Sequence, residues 1–265
     1  MTFDIKRLQL IVHEAGKILL SAKVTGENVD QKQGDANFVT DYDVQVQQFL
    51  MEKLREMIPD ATFYGEEETL GNQAGRLSDG FTFIIDPIDG TTNFVFDCRY
   101  SCISVAVAWS SALVAGCIYN PYLDQMYVAV RGLGCYMNGR RLKMEDLPVE
   151  KSIVGFGCAR YNNPNVDLLF DVVKNLFNRC LAVRSGGSAA LDLAKIAAGN
   201  HGAYIELLLQ PYDYAAAAVM IEEAGGRIVQ MDGSPITLNR PCSIVAGSKT
   251  AVAQILQTIR EEKTK

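Results

Sequence analysis

The sequence has few of the residues on which several common kinds of site depend. Its two histidines, His13 and His201, are too few and too far apart in the chain to predict a zinc site. Its seven cysteines include no C-x-x-C pair, so we expect reduced thiols rather than a disulfide framework. No apolar run approaches the roughly 18 residues of a membrane-spanning helix, and the initial Met-Thr-Phe-Asp lacks the basic and apolar regions of a signal peptide. These absences predict a soluble cytoplasmic protein with no membrane partner.

An excess of positive charge is missing too. The 25 basic and 31 acidic residues leave a formal net charge of −6, which argues against nucleic acid as a partner. An anionic substrate is compatible with this charge, because bound divalent cations reverse the electrostatic potential locally. With 48% hydrophobic residues, the chain of 265 residues has the composition of a globular protein with a large core. Charges and Pro148 interrupt the hydrophobic pattern, which predicts sub-lobes of about 1–147 and 148–265.

Hydrophobic periodicity predicts a mixed α/β fold. Apolar residues at helical spacing indicate a helix over 4–22 and a second helix that begins at Asp41. The polar stretch 24–37 between them has no periodicity and is predicted to be a flexible loop. Apolar and β-branched segments up to about residue 145 predict a largely antiparallel sheet, after which strands and helices alternate to the end of the chain.

The stretch Phe81–Phe94, FTFIIDPIDGTTNF, carries the clearest indication of chemistry. Its apolar run predicts a buried strand that stops at Asp86, because the proline that follows cannot donate to a sheet ladder. Asp86 and Asp89 are therefore expected just past the end of a strand, where two carboxylates can face one point and hold Mg²⁺. Gly90 and Thr91 follow directly, and a flexible backbone with free amides suits an anion.

Three further acids occupy comparable positions. Asp41 stands at a predicted helix start, Glu66 follows a short predicted strand, and Asp213 precedes an alanine-rich helix. Taken singly, Asp41 and Asp213 are ordinary helix caps and Glu66 is a surface acid. Together with Asp86 and Asp89, they lie at strand ends and helix starts, where the ligand sites of layered α/β proteins gather.

Several of these segments resemble the inositol monophosphatase family, part of a larger superfamily of lithium-sensitive, magnesium-dependent phosphatases. The matching segments, in order, are Gly65-Glu66-Glu67, the nine residues from Asp86 to Phe94, Pro211 to Ala216, and Glu222 to Gly226. The resemblance covers nearly the whole chain and implies a single domain over 1–265, folded as a layered αβαβα sandwich. It also implies a Mg²⁺-dependent, lithium-sensitive phosphatase that forms a homodimer.

The resemblance also implies a role for individual residues. Two to three Mg²⁺ ions per active site would be held by Glu66, Asp86, the carbonyl of Ile88, Asp89 and Asp213. The substrate phosphate would accept hydrogen bonds from the amides of Gly90 and Thr91. Asp41 and the Thr91 hydroxyl would position and deprotonate the water that attacks phosphorus in line, with Glu66 supporting the third ion.

The same resemblance implies which residues contact the substrate. The implied substrate-binding residues are Gly90, Thr91, Asp89, Gly187, Ser188, Ala189 and Glu206. The first expected substrate is myo-inositol monophosphate, and NADP(H), fructose 1,6-bisphosphate and 3′-phosphoadenosine 5′-phosphate are alternatives. A non-catalytic scaffold that binds phosphate or a protein partner is the alternative from another class.

Two features depart from the family pattern. Tyr212 stands where the family most often has tryptophan, so the rim of the pocket is expected to differ. The loop around Lys32, which in relatives closes over the site and helps to order a third metal ion, is shorter. The resemblance therefore implies hydrolysis more strongly than it implies lithium sensitivity.

Overall fold

Helices and sheets alternate in five layers, α, β, α, β and α. The computed structural model describes residues 3–23, 29–31, 38–67, 71, 77–158 and 165–265. The helices are α1 (Ile5–Ser21), α2 (Asp41–Met57), α3 (Thr91–Val95), α4 (Val166–Phe177), α5 (Ala189–Ala197), α6 (Pro211–Glu223) and α7 (Lys249–Lys263). The strands are β1 (Val29–Gln31), β2 (Phe38–Thr40), β3 (Thr62–Gly65), β4 (Phe81–Asp89), β5 (Cys102–Trp109), β6 (Ala112–Asn120), β7 (Gln125–Val130), β8 (Gly134–Met137), β9 (Arg140–Leu142), β10 (Ile153–Gly157), β11 (Ala182–Arg184), β12 (Ala203–Leu209), β13 (Arg227–Val229) and β14 (Cys242–Gly247). This arrangement confirms the predicted fold class.

Two mixed sheets form the β layers. The first has the order β3-β4-β5-β6-β7-β8-β9, in which β3 and β4 are parallel and the other neighbours antiparallel. The second has the order β11-β10-β12-β14-β13, with β10 parallel to both β11 and β12. Helices α1 and α2 cover the outer face of the first sheet, and α4 and α7 cover the outer face of the second. The boundary expected near residue 147 falls between β9 and β10.

Helices α5 and α6 fill the layer between the sheets. Every residue of α6 from Tyr214 to Ile221 is buried, because the helix packs on both sides. Its contact with the first sheet is close at Gly116 in β6, where an added Cβ would lie 2.8 Å from the Cα of Ala216. Small residues on both elements therefore bring the start of α6 next to the end of β4.

Strand β4 is longer than the sequence predicts. It continues through Asp86 and Pro87 to Asp89, and all nine of its residues are buried. The expectation that it stops at Asp86 is wrong, because the register with β5 shifts between Asp86 and Asp89. The N–H that proline lacks falls in this irregular part of the ladder, so no regular hydrogen bond is lost there.

The predicted loop over 24–37 contains regular structure. Val29–Gln31 pairs antiparallel with Phe38–Thr40, so this part of the loop prediction is wrong. The rest of the stretch, including Lys32, where a shorter loop was predicted, lies outside the described residues. In the part of the chain that the structure covers, no helix combines the length and apolar character needed to cross a membrane.

Candidate active site

Three carboxylates converge where the end of β4 meets the start of α6. One oxygen from each of Asp86, Asp89 and Asp213 lies within 4.8 Å of the others. Asp86 and Asp89 are buried at the irregular end of β4, and Asp213 lies in the first turn of α6. There Asp213 Oδ2 accepts a hydrogen bond from the backbone N–H of Gln210 at 2.7 Å, which fixes its direction. The sequence analysis placed these three residues in one metal site, and in the structure they lie close together.

The cluster is electrostatically unfavourable without a cation. Burial raises the pKa of Asp86 well above its ordinary value, and the charges of Glu66, Asp89 and Asp213 raise it further. Burial and the same kind of repulsion raise the pKa of Asp213. Burial also raises the pKa of Asp89 to about 6, although hydrogen bonds from Ser188 and Ala190 partly oppose the shift. A dry cluster of mutually repelling carboxylates fits a divalent cation that prefers oxygen ligands.

Glu66 lies beside this cluster, directly after β3. Its backbone N–H donates to the carbonyl of Ile85 at 3.1 Å, so Glu66 is still hydrogen-bonded to strand β4. Its charge raises the pKa of Asp43 and of all three clustered aspartates. A Cβ on the preceding Gly65 would lie 2.5 Å from Gln47 Cδ and would displace the Gln47 amide, which is hydrogen-bonded to the backbone N–H and carbonyl of Glu67.

The start of α2 brings Asp43, and not Asp41, to Thr91. Thr91 Oγ1 donates to Asp43 Oδ1 at 3.3 Å, and Asp43 is fully buried. Asp41 is the first residue of α2 and its side chain is exposed. Among the described carboxylates, Asp43 is therefore the one that contacts Thr91, and the geometry does not support the role expected of Asp41.

Helix capping explains why the second aspartate points inward. Thr40 is the N-cap of α2, and Asp43, three residues later, accepts from the Thr40 N–H at 2.7 Å and from its hydroxyl at 2.6 Å. The spacing Thr-x-x-Asp is a capping box, and it was the sequence feature that could have identified Asp43. Burial raises the pKa of Asp43 to about 7, and Glu66 raises it as well.

The turn between β4 and α3 supplies the candidate anion site. Gly90 has a φ of 88° and caps α3, so Thr91 is the first helical residue. A Cβ on Gly90 would lie 3.0 Å from the carbonyl oxygen of Gly187, which also requires glycine here. The Thr91 hydroxyl donates to the carbonyl of Ile88 at 3.0 Å, and the Ile88 N–H donates to Asp86 Oδ1 at 3.1 Å. The turn thus links the acidic cluster to Thr91.

The start of α5 contacts the acidic cluster from the other side. Ser188 is the N-cap of α5, and its hydroxyl donates to Asp89 Oδ2. The N–H of Ala190 donates to the same oxygen at 2.9 Å, a contact that the sequence did not identify. Gly187 has a φ of 81°, and Ala189 is the first residue of α5.

Glu206 lies on β12 and faces the same region. It is buried, and Tyr204 donates its hydroxyl to Glu206 Oε2 at 2.5 Å. Its charge contributes to the raised pKa of Asp213, so the two carboxylates are within electrostatic reach. Gly157 on β10 leaves the space that these two side chains fill, because an added Cβ would overlap both.

Comparison with known proteins agrees with this geometry. The family model described as "Inositol monophosphatase family" matches residues 4–264. The chain belongs to the inositol monophosphatase family. Its curated relatives include the inositol-1-monophosphatase of Bacillus subtilis (strain 168), which is 34% identical over 252 residues, 95% of this chain and 92% of the relative. They also include the Nus factor SuhB of Escherichia coli (strain K12), 32% identical over 94% of this chain and 92% of the relative.

Solved structures of the family share the fold. The crystal structure of SaIMPase-II with bound inositol monophosphate superposes with a TM-score of 0.82 at 28% identity, and covers 98% of this chain and 94% of that one. The family, its relatives and its structures support an inositol-phosphate phosphatase.

Tyr212 directly precedes Asp213 in the first turn of α6. Its ring meets Tyr64 edge to face, with centroids 6.2 Å apart, and its carbonyl accepts from the Ser104 hydroxyl at 3.4 Å. Burial and the charge of Asp213 raise the pKa of Tyr64, so the pair of tyrosines lies beside the acidic cluster.

Proposed function

We propose that the protein is a Mg²⁺-dependent phosphomonoesterase that hydrolyses myo-inositol monophosphate. The observation that carries the proposal is the meeting of three carboxylates, Asp86, Asp89 and Asp213, beside the hydrogen-bonded pair of Thr91 and Asp43. A phosphate monoester hydrolyses very slowly unaided, so a catalyst must neutralise charge and position the nucleophile. Clustered acids with cations and a proton acceptor supply both.

The donor set suits Mg²⁺, which takes oxygen ligands. Asp86, Asp89 and Asp213 would hold one ion; Glu66, Asp86 and the carbonyl of Ile88 would hold another; and Glu66 would support a third. When bound, the ions supply Lewis acidity and neutralise the charge of the phosphate. Without them, burial and the repulsion between neighbouring carboxylates raise the pKa values of Asp86 and Asp213, whereas a bound cation would favour the ionised forms.

Asp43 takes the role of proton acceptor in this proposal, in place of Asp41. The Thr91 hydroxyl lies 3.3 Å from Asp43 Oδ1 and 3.0 Å from the Ile88 carbonyl oxygen; when its proton is directed to Asp43, its oxygen can accept a proton from the attacking water while its own proton passes to Asp43. Asp43 has a pKa raised to about 7, which makes it a stronger base than an exposed aspartate. The amides of Gly90 and Thr91, at the start of α3, would bind the phosphate oxygens.

The second sheet and α5 would bind the alcohol part of the substrate. Glu206 has a carboxylate that can accept from ring hydroxyls, and Gly187, Ser188 and Ala189 border the same space. Two findings support this substrate. The chain shares 34% sequence identity with an inositol-1-monophosphatase, and its fold is similar to that of a structure with inositol monophosphate bound. The same chemistry on NADP(H), fructose 1,6-bisphosphate or 3′-phosphoadenosine 5′-phosphate is the alternative. We further propose a cytoplasmic homodimer of single-domain chains.

A non-catalytic role is the rival from another class. It has one specific observation in its favour, because a relative at 32% identity is named a Nus factor. Against it stand the cluster of Asp86, Asp89 and Asp213 and the Thr91–Asp43 contact, on which the proposed hydrolysis depends.

A panel of phosphate-release assays tests the proposal. The purified protein would be given inositol 1-phosphate, NADP, fructose 1,6-bisphosphate and adenosine 3′,5′-bisphosphate, each with Mg²⁺, with EDTA and with Mg²⁺ plus Li⁺. We expect the highest kcat/KM for inositol 1-phosphate, no turnover with EDTA, and inhibition by Li⁺. Turnover of none of the four would contradict the proposal and favour the non-catalytic role.

A further inference from the structure

Four residues beside the candidate site form a closed ring of hydrogen bonds. Asn93 Nδ2 donates to the carbonyl oxygens of Tyr100, at 2.8 Å, and Gly186, at 2.9 Å. The Tyr100 hydroxyl donates to Asp192 Oδ1 at 2.5 Å, and the Gly186 N–H donates to Asp192 Oδ2 at 3.1 Å. We call Asn93, Tyr100, Gly186 and Asp192 the Gly186 ring, because both polar groups of that glycine belong to it.

The Gly186 ring is tightly packed around one buried carboxylate, that of Asp192, and its other three residues are half-buried. Asp192 is 2% exposed, and burial raises the pKa of its carboxyl even though two donors oppose the shift. A buried carboxylate depends on such donors, so loss of either one is costly. A Cβ on Gly186 would lie 2.5 Å from Asp192 Oδ1 and 2.6 Å from Tyr100 Cε1, so only glycine fits. The Nζ of Lys195 lies over the Tyr100 ring, 4.3 Å from its centroid.

The Gly186 ring joins segments that carry the two halves of the candidate site. Asn93 belongs to α3, two residues after Thr91, and Asp192 lies in the first turn of α5. Gly186 leads directly into residues 187–190, where the Ser188 hydroxyl and the Ala190 N–H both donate to Asp89 Oδ2. The ring therefore fixes the backbone from which Asp89 receives these two hydrogen bonds.

The turn at Gly90 packs closely against residues 187 and 188, so neither segment can move far without the other. A Cβ on Gly90 would lie 3.0 Å from the Gly187 carbonyl oxygen and 3.1 Å from Ser188 Cβ. A Cβ on Gly187 would lie 3.0 Å from Asn93 Nδ2. A small displacement of residues 187–190 would thus alter both the phosphate-binding turn and the hydrogen bonds to Asp89.

We propose that the Gly186 ring is a positioning element that holds residues 187–190 in register with Asp89 and Gly90. The inference rests on the proposed function, in which residues 187–189 border the alcohol part of the substrate. Tyr100 and Asp192 act through Ser188 and Ala190, so they are positioning residues. Their loss weakens binding of a substrate that uses residues 187–189 more than it weakens hydrolysis of an ester whose leaving group needs no such contacts.

Two substitutions open the ring without removing much volume. Tyr100→Phe removes one donor to Asp192. Asp192→Asn removes the negative charge and replaces one acceptor oxygen by an amide N–H, so the Tyr100 hydroxyl and the Gly186 N–H can no longer both donate to residue 192. Tyr122→Phe is the matched control, because the Tyr122 hydroxyl pairs with Ser101 Oγ at 3.3 Å and lies outside the ring.

Amide hydrogen exchange measures the position of the segment without any turnover. In the protein without substrate, we expect exchange in residues 186–191 to be about tenfold faster in Tyr100→Phe and faster still in Asp192→Asn, as for loss of a hydrogen bond to a charged group. The Tyr122→Phe control should match the wild type in this segment. Unchanged exchange in both ring variants would overturn the proposal.

Kinetics with two substrates supply the second readout. With saturating Mg²⁺, we expect both ring variants to raise KM for inositol 1-phosphate about tenfold and to change KM for p-nitrophenyl phosphate less than about twofold. A merely structural role would lower the thermal midpoint and active fraction while leaving both KM values unchanged, and that result would contradict the proposal. If the wild type releases no phosphate, the proposed function fails, whereas the exchange experiment still decides on the ring.

Discussion

The two sides of the candidate active site are built in different ways. The side formed by β4 and α6 consists of carboxylates that repel one another, such as Asp86 and Asp213. The side formed by β12 and α5 consists of polar groups that already have donors, such as Glu206 with Tyr204. Unfavourable charge indicates where a cation binds, whereas satisfied polar groups indicate where the shape of a pocket is maintained.

Substitution of Asp86 should have the largest effect, because it removes the carboxylate at the centre of the repelling cluster. We expect Asp86→Ala to lower kcat for phosphate release on the order of a thousandfold. The thermal midpoint measured without metal should not fall, because a buried repelling charge is lost. The exposed Asp79 provides the control, and Asp79→Ala should keep wild-type turnover. Activity of Asp86→Ala within tenfold of the wild type would contradict the metal assignment.

Thr91 lies where the two sides meet and should give the next largest effect. Thr91→Ala removes the hydroxyl that donates to Asp43, so kcat should fall on the order of a hundredfold. Mg²⁺ affinity, measured by calorimetric titration, should stay near that of the wild type. Thr92, the next residue, is exposed, and Thr92→Ala should turn over normally. Equal turnover of the two variants would remove Thr91 from the mechanism.

Glu206 tests the substrate side alone. Glu206→Gln keeps an oxygen for the Tyr204 hydroxyl but loses the charge that would accept ring hydroxyls. We expect KM for inositol 1-phosphate to rise about tenfold with little change for p-nitrophenyl phosphate. Steady-state kinetics on both esters measure this difference. A similar loss on both esters would mean that Glu206 belongs to the metal side.

The smallest expected effect concerns His201, which is 8% exposed. Burial, with the charges of Lys195 and Arg184, lowers its pKa from 6.5 to about 4. The folded protein therefore favours the neutral form of His201. The free energy of unfolding is highest above the unfolded pKa of 6.5, and it decreases as pH falls from 6.5 towards 4, because the unfolded chain then binds a proton that the folded protein does not.

Replacement by asparagine should therefore make unfolding less dependent on pH. Between pH 7 and pH 5, His201→Asn should lose less stability than the wild type, by on the order of 1 kcal/mol in urea unfolding. The same substitution at the exposed His13 is the control. Identical pH dependence of the wild type and His201→Asn would show that His201 does not contribute.

The sequence predicted the parts of the site that depend on short stretches. Asp86, Asp89 and Gly90 follow one another in a stretch whose turn and strand are encoded locally, and the structure brings Asp213 to them as expected. The error at the start of α2 came from two aspartates two positions apart. Capping geometry decides which of them is buried, and Asp43 is the one bonded to Thr40.

Long-range pairs could not be predicted in the same way. Asn93 and Gly186 are 93 residues apart, and Tyr100 and Asp192 are 92 apart, so no local pattern joins them. The path of β4 through Pro87 was also missed, because the shift of register depends on the partner strand β5. Strand propensity is assigned to one segment at a time, whereas a shift of register depends on how two strands pair.

The assignment of the proton acceptor is tested most directly by one pair of variants. Asp43→Asn and Asp41→Asn would be compared for kcat on inositol 1-phosphate at saturating Mg²⁺. The contact of Asp43 with Thr91 and the exposure of Asp41 predict a loss on the order of a hundredfold or more for Asp43→Asn and less than about twofold for Asp41→Asn. Equal losses, or a larger loss for Asp41→Asn, would contradict the account of the site.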